Sequence, residues 1–216
     1  MKTAADISPG SQSIVRSLPR ELLRALRLTL VIAVVTGLVY PLVITGLSQL
    51  VFHDQANGSL ITKNGQIIGS KLIGQQFTDA KYFIGRPSAT LANDGSKALP
   101  YNAENSAGSN LAPSNKALID RLQQAVAAVR KANNLSADAP VPVDLVTTDF
   151  SGFDPDITEA AALIQVNRVA AARTLDPVRV KALVEQQVQG RVLVLFGEPH
   201  VNVLLLNMAL DGGAAG

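Results

Sequence analysis

From Leu28 to Phe52 the sequence LTLVIAVVTGLVYPLVITGLSQLVF contains no charged residue, and about 20 apolar residues in a helix are enough to cross the hydrocarbon of a bilayer. A cleaved signal peptide would show a shorter apolar stretch followed by small residues of A-x-A type. A buried helix of a soluble protein would have no reason to carry a basic flank on one side only. Here Arg16, Arg20, Arg24 and Arg27 precede the run, whereas the first lysine after it is Lys63. The positive-inside rule then predicts residues 1–27 as a basic cytoplasmic N-terminus, 28–52 as a single transmembrane helix, and 53–216 as an extracytoplasmic domain.

Within the run, Thr29, Ala33, Gly37, Pro41 and Thr45 recur every four residues. Such a line of small side chains lets another helix approach closely, so Ala33, Gly37, Pro41 and Thr45 are expected to face a partner. Pro41 has no N–H to give to Gly37, which predicts a kink near the middle of the span. No Asp, Glu, Lys, Arg or His lies in the run to hold an ion or proton, so this helix alone offers no transport pathway.

Five basic residues (Lys2 and the four arginines) and two acidic ones (Asp6, Glu21) stand before Leu28, leaving 14 of the 19 basic and 15 of the 17 acidic residues for the rest. With no Lys/Arg cluster and 4% aromatic residues, a nucleic-acid groove is not expected, because backbone binding needs concentrated positive charge. The absence of cysteine removes thiolate chemistry, disulfides and cysteine-ligated metals.

Beyond the span, Asn57 to Phe77 reads as short β segments around glycine turns, with Leu60-Ile61 and Ile67-Ile68 as their apolar pieces. Gly85 to Asn115, rich in Gly, Pro, Ser and Asn, reads as a long loop with Tyr82, Phe83, Arg86, Leu99, Tyr101 and Leu111 available for docking. A helix capped by Ser114 is expected to end near Asn133-Asn134, with Leu118, Leu122, Ala125, Val126 and Val129 on its apolar face. Pro140 to Thr148 reads as a strand. Thr158 caps a helix running to Arg173, and Asp176-Pro177 starts another that Gly190 closes. Arg191 to Phe196 reads as a buried strand and Val201 to Leu210 as a helix. The class is α+β, one mixed α/β domain after an anchor.

Residues suited to chemistry are few. His53 and His200 are the two histidines, and neither has a second ligand at metal spacing; no metal is expected. Gly65 to Lys71 is one residue short of a phosphate loop. Asp144, Asp149, Asp154, Asp156 and Glu159 cluster loosely, and carboxylates beside turns and helix starts ordinarily cap them. The alternative to a binding or assembly module is a membrane-tethered periplasmic enzyme that uses His200 with a nearby acid.

In order along the chain, GSKLIGQ (Gly69 to Gln75), FTDAKYFIGRPSAT (Phe77 to Thr90), Tyr101-Asn102, GSNLAPSN (Gly108 to Asn115), VPVDLVT (Val141 to Thr147), QVNRVAAAR (Gln165 to Arg173) and GEPHVNVLLLNMAL (Gly197 to Leu210) closely resemble KdpC, the family of the single-pass accessory subunit of the bacterial Kdp potassium-transporting P-type ATPase. Ala107, Ala112, Asp156 and the surroundings of Asn134 depart from the family pattern. The resemblance implies a non-catalytic accessory subunit, single-pass in a bacterial inner membrane with its main domain periplasmic, in a complex with KdpA, KdpB and KdpF, where KdpA takes up K⁺ and KdpB hydrolyses ATP. It also implies a role in assembly and K⁺ uptake and a catalytic-chaperone effect on the ATP affinity of KdpB, with Gln165 as the nucleotide contact. ATP would then be reached through the complex, with no tightly bound cofactor. Tyr82, Phe83, Arg86 and Asn110 are the partner-facing residues expected in the domain. The charge rule conflicts with a nucleotide at Gln165, since it places that residue outside while ATP is hydrolysed inside.

Overall fold

The computed structural model describes residues 10–212, and the chain divides into two units between Asn57 and Gly58. In the first unit, helix α1 (Gly10–Val34) runs through a π-turn (Val35–Val39) into α2 (Tyr40–Val51). The helix thus begins well before Leu28, and its arginine-bearing turns continue the same rod. Among the described residues one helix, Leu18–Val51, is long and apolar enough to cross a membrane, with mean hydropathy 2.3. At 1.5 Å per residue its 34 residues reach about 50 Å, more than the roughly 30 Å hydrocarbon layer, so the Arg20 to Arg27 turns can stand in the headgroups or water. The irregularity expected at Pro41 takes the form of the π-turn just before it, where the Tyr40 N–H bonds Val35 O, five residues back. Slipping the ladder by one residue is a known way to accommodate a missing donor. Beyond α2, the short helix α3 (His53–Ala56) is closed by Asn57, whose side chain bonds Gln49 Oε1 (3.0 Å) and His53 O (2.6 Å).

The second unit opens with an antiparallel hairpin, β1 (Leu60–Lys63) and β2 (Gln66–Ser70). Its two-residue turn has positive φ at both Asn64 and Gly65, the Asn-Gly geometry that matches strand twist. No helix or strand occurs between Gly85 and Asn115, as the composition suggested. Helix α4 (Lys116–Ala132) is capped by Asn115, whose side chain accepts from Ala117 N, rather than by Ser114, and it ends at Asn133. A three-stranded antiparallel sheet has the order β3 (Asp156–Thr158), β5 (His200–Asn202), β4 (Val188–Gln189). Around it stand α5 (Glu159–Leu163), α6 (Val166–Arg173), α7 (Pro177–Gln187) and α8 (Val203–Leu210). Phe83, Ile157, Ala161, Val169, Val180, Val184, Val201 and Leu206 form the centre of the core, and Ile61, Leu204 and Met208 join the hairpin to α8.

Four expectations are corrected. Pro140 to Thr148 is a 3₁₀ turn at Val143–Leu145: Pro140 and Pro142 have no N–H for a ladder, and Val146 N and Thr147 N bond back to Val143 O. The expected strand Arg191 to Phe196 is an exposed turn, with Leu193 and Val194 at positive φ. The segment Val201 to Leu210 begins as the central strand before becoming α8. Thr158 does cap a helix, accepting from Ala161 N, but that helix breaks at Ile164-Gln165. In a continuous helix the Gln165 N–H would bond Ala161 O. It bonds Ala162 O instead, and the Gln165 side chain takes Ala161 O.

Candidate functional site

Polar side chains from two sequence motifs, Gln165 to Arg173 and Gly197 to Leu210, converge on the main chain of a third, Phe77 to Thr90. α6 supplies Arg168 and Arg173, the α5–α6 break supplies Gln165, and α8 supplies Asn207. Arg168 Nη1 donates to Ala80 O (2.6 Å) and Tyr82 O (3.0 Å), and Arg173 Nε donates to Lys81 O (2.7 Å). Asn207 pairs with both main-chain groups of Phe83, accepting from its N–H (2.8 Å) and donating to its carbonyl (2.9 Å). Gln165 does the same for Ile84, at 2.8 and 3.1 Å. The carbonyls of Ala80, Lys81, Tyr82, Phe83 and Ile84 therefore each accept from a side chain, although the segment belongs to no strand. Buried main-chain groups must be satisfied somewhere, and here side-chain amides and guanidinium groups replace a neighbouring strand.

Gln165 is only 1% exposed. Its Oε1 also accepts from Arg168 Nη2 (2.6 Å) and its Nε2 donates to Ala161 O (3.0 Å). All four hydrogen-bonding positions of its amide are occupied. A glutamine on a helix surface would look different. The cleft it lines with Ile84, Val129, Asn133 and Leu145 holds about 160 Å³, below the roughly 300 Å³ at which small-molecule sites begin. A nucleotide contact at this side chain requires it first to release Ile84 and Arg168.

Arg168 has no carboxylate among these partners: Nε donates to Asn133 Oδ1 (3.0 Å) and the rest go to carbonyl oxygens. Burial lowers its pKa from the ordinary arginine value. Arg173 binds Asp211 (2.8 Å) and lies 4.9 Å from the centre of the Tyr82 ring, whose hydroxyl also donates to Asp211 (3.0 Å). Burial raises the Asp211 pKa, but these two hydrogen bonds outweigh it and hold the group low.

Immediately after the clamped segment the chain enters the long loop. Arg86 reaches Asp154 and Thr147, both at 3.3 Å, and Tyr101 Oη donates to Arg86 O (2.6 Å). A Cβ on Gly85 would stand 2.7 Å from Tyr101 Oη, so this approach requires glycine. Ser88 Oγ accepts from Tyr101 N and donates to Gly152 O, while Thr90 Oγ1 accepts from Asn102 N and donates to Leu99 O. Asp149 accepts from Ser151 Oγ, Gly152 N and Asp154 N. Burial raises its pKa, and those hydrogen bonds outweigh that and bring it below the usual carboxylate value. A cleft of about 460 Å³ on this loop is lined by Gln75, Phe77, Arg86, Ser88, Pro100 and Tyr101, among others.

Of the partner-facing residues expected from sequence, Tyr82 and Arg86 are half-buried, whereas Phe83, with no exposed surface, is a core residue with no side chain to offer. Asn110 is exposed at positive φ, outside this network. Ala33, Gly37, Pro41 and Thr45 are exposed on the helix, and a Cβ at Gly37 would meet nothing within 4 Å. His200 lies 3.8 Å from Asp156. The Asp156 carboxyl is raised, chiefly by burial and further by Asp154, while His200 and Asn202 oppose the shift. Among the described residues no group of three His, Cys, Asp or Glu could hold a metal ion.

Sequence reasoning missed Asn207, Arg168 and Arg173. Asn207 left a signal, since a lone amide in the apolar helix VLLLNMAL has to be hydrogen-bonded when buried.

The family described as K⁺-transporting ATPase, c chain (KdpC) matches residues 22–212. The potassium-transporting ATPase KdpC subunit of Bradyrhizobium diazoefficiens is 56% identical over 201 residues, covering 91% of this chain and 98% of the relative. That of Rhodopseudomonas palustris is 56% identical over 197 residues (89% and 98%), and that of Methylobacterium nodulans 54% over 199 (88% and 98%). The residues that clamp Ala80 to Ile84 all fall within the matched range, and the chain belongs to the KdpC family, the c chain of K⁺-transporting ATPases.

Proposed function

We propose that this chain is a non-catalytic assembly subunit, anchored by its one long helix with the N-terminus cytoplasmic, whose periplasmic domain shapes K⁺ access to KdpA. The observation that carries this reading is the clamp on five consecutive carbonyls. It makes the start of the long loop a rigid ledge, and a rigid ledge suits docking because little conformational freedom is lost on association. KdpA, KdpB and KdpF are the partners proposed, with the Ala33/Gly37/Pro41/Thr45 line as the helix contact.

Any effect on the ATP affinity of KdpB is assigned to the assembled complex rather than to nucleotide at Gln165, because the charge rule and the fully engaged amide both oppose that contact. Deletion of the chain tests the proposal: high-affinity K⁺ uptake is lost and the other Kdp proteins fail to co-purify. Normal uptake and normal co-purification without it would contradict the proposal.

A further inference from the structure

Between β4 and β5 the chain projects a tip, Val192 to Phe196, in which five consecutive apolar side chains are 60 to 88% exposed. Isolated apolar residues on a surface need no explanation, but a contiguous group marks a site of contact with protein or membrane. The geometry of the tip favours one of these. A protein groove takes up one face of a hairpin and leaves the other in water, whereas here every side chain of the run points outward. The main chain is also prepared for an apolar medium: Val192 N bonds Phe196 O and Phe196 N bonds Val192 O (2.8 and 2.9 Å), Val194 N bonds Arg191 O, and Leu195 N bonds Val192 O. Four of the five N–H groups of the tip are thus internally satisfied, and in hydrocarbon unsatisfied ones are costly. At its base Arg191 and Glu198 form an ion pair at 2.6 Å, a polar collar suited to the headgroup layer.

We infer that Val192 to Phe196 inserts into the acyl boundary of the bilayer, giving the domain a second, shallow attachment besides the helix. This rests on the proposed anchoring, since a span in the same chain keeps the domain at a membrane surface.

The chain has no cysteine, so single labels can be placed cleanly. Full-length Leu193→Cys, Leu38→Cys (in the span) and Val178→Cys (72% exposed on α7) are each labelled with an environment-sensitive fluorophore and reconstituted into vesicles of phosphatidylethanolamine and phosphatidylglycerol. The inference predicts blue-shifted emission at Leu193→Cys, quenched several-fold more by shallow lipid-borne nitroxide than by aqueous iodide, while Val178→Cys shows the reverse. If the Leu38→Cys label reads lipid and the Leu193→Cys label reads water, the insertion is wrong and the anchoring stands. If neither reads lipid, both fall. A blue shift at Leu193→Cys that appears only with the other Kdp proteins present, and without lipid quenching, overturns the inference in favour of a protein groove. Leu195→Cys repeats the measurement at a position without positive φ.

Discussion

Two short segments of the domain meet the hydrogen-bonding needs of their main chain in opposite ways. Ala80 to Ile84 has no ladder of its own, yet four polar side chains fix all five of its carbonyls and sink Phe83 into the core. Val192 to Phe196 is apolar throughout and lies almost wholly exposed. The two differ in where their hydrogen-bond partners come from. The first segment is fixed because amides and guanidinium groups reach it. The second turns back on itself, satisfies four of its five N–H groups from within, and leaves its side chains for another medium.

The contrast breaks most severely if Gln165 is shortened. Gln165→Ala leaves both main-chain groups of Ile84 without their partner in a part-buried site and should cost about 2 to 3 kcal/mol of unfolding free energy, read from urea unfolding of the full chain in detergent. Combining it with Asn207→Ala should cost less than the sum of the two singles, because both residues hold the same strip of chain. Strict additivity would mean that Phe83 and Ile84 are held independently.

Gly85→Ala comes next. Its Cβ would press on Tyr101 Oη, and displacing that ring should cost about 2 kcal/mol, as overpacking does. Tyr101→Phe removes only the bond to Arg86 O, at about 1 kcal/mol. If the two changes cost the same, the hydroxyl rather than the close approach explains the glycine.

Leu193→Ser should alter stability in detergent by less than about 0.5 kcal/mol, as exposed substitutions do, and so separates the two segments. Asp156→Asn should act in the opposite direction, giving a small gain. The native carboxyl is raised by burial, so folding favours its protonated form and ionisation costs stability as pH rises above the ordinary value of 3.8. The gain should therefore be present at neutral pH and disappear as pH falls below 3.8.

The sequence makes the anchor legible because charge exclusion over the 25 residues from Leu28 to Phe52 has one ready physical use. The caps at Thr158 and Asp176 and the loop from Gly85 to Asn115 are equally readable, being governed by local chemistry. The exposed turn at Val192 is not, since hydrophobicity alone argues for a strand and only long-range geometry ends β4 at Gln189. The place of Gln165 is not legible either, because its amide is fixed by Ile84, 81 residues away, and nothing in its local sequence points there. Each hydrophobic or polar residue reveals its preference in sequence, but not which partner satisfies it.

The side of the membrane on which the domain lies is the most direct test of the account. In otherwise cysteine-free chain, Val178→Cys should react with a membrane-impermeant thiol reagent in intact cells whose outer membrane has been permeabilised, and remain protected in inverted vesicles. Protection in the cells with reaction in inverted vesicles would put the domain on the ATP side and contradict a protein that works at the point of K⁺ access.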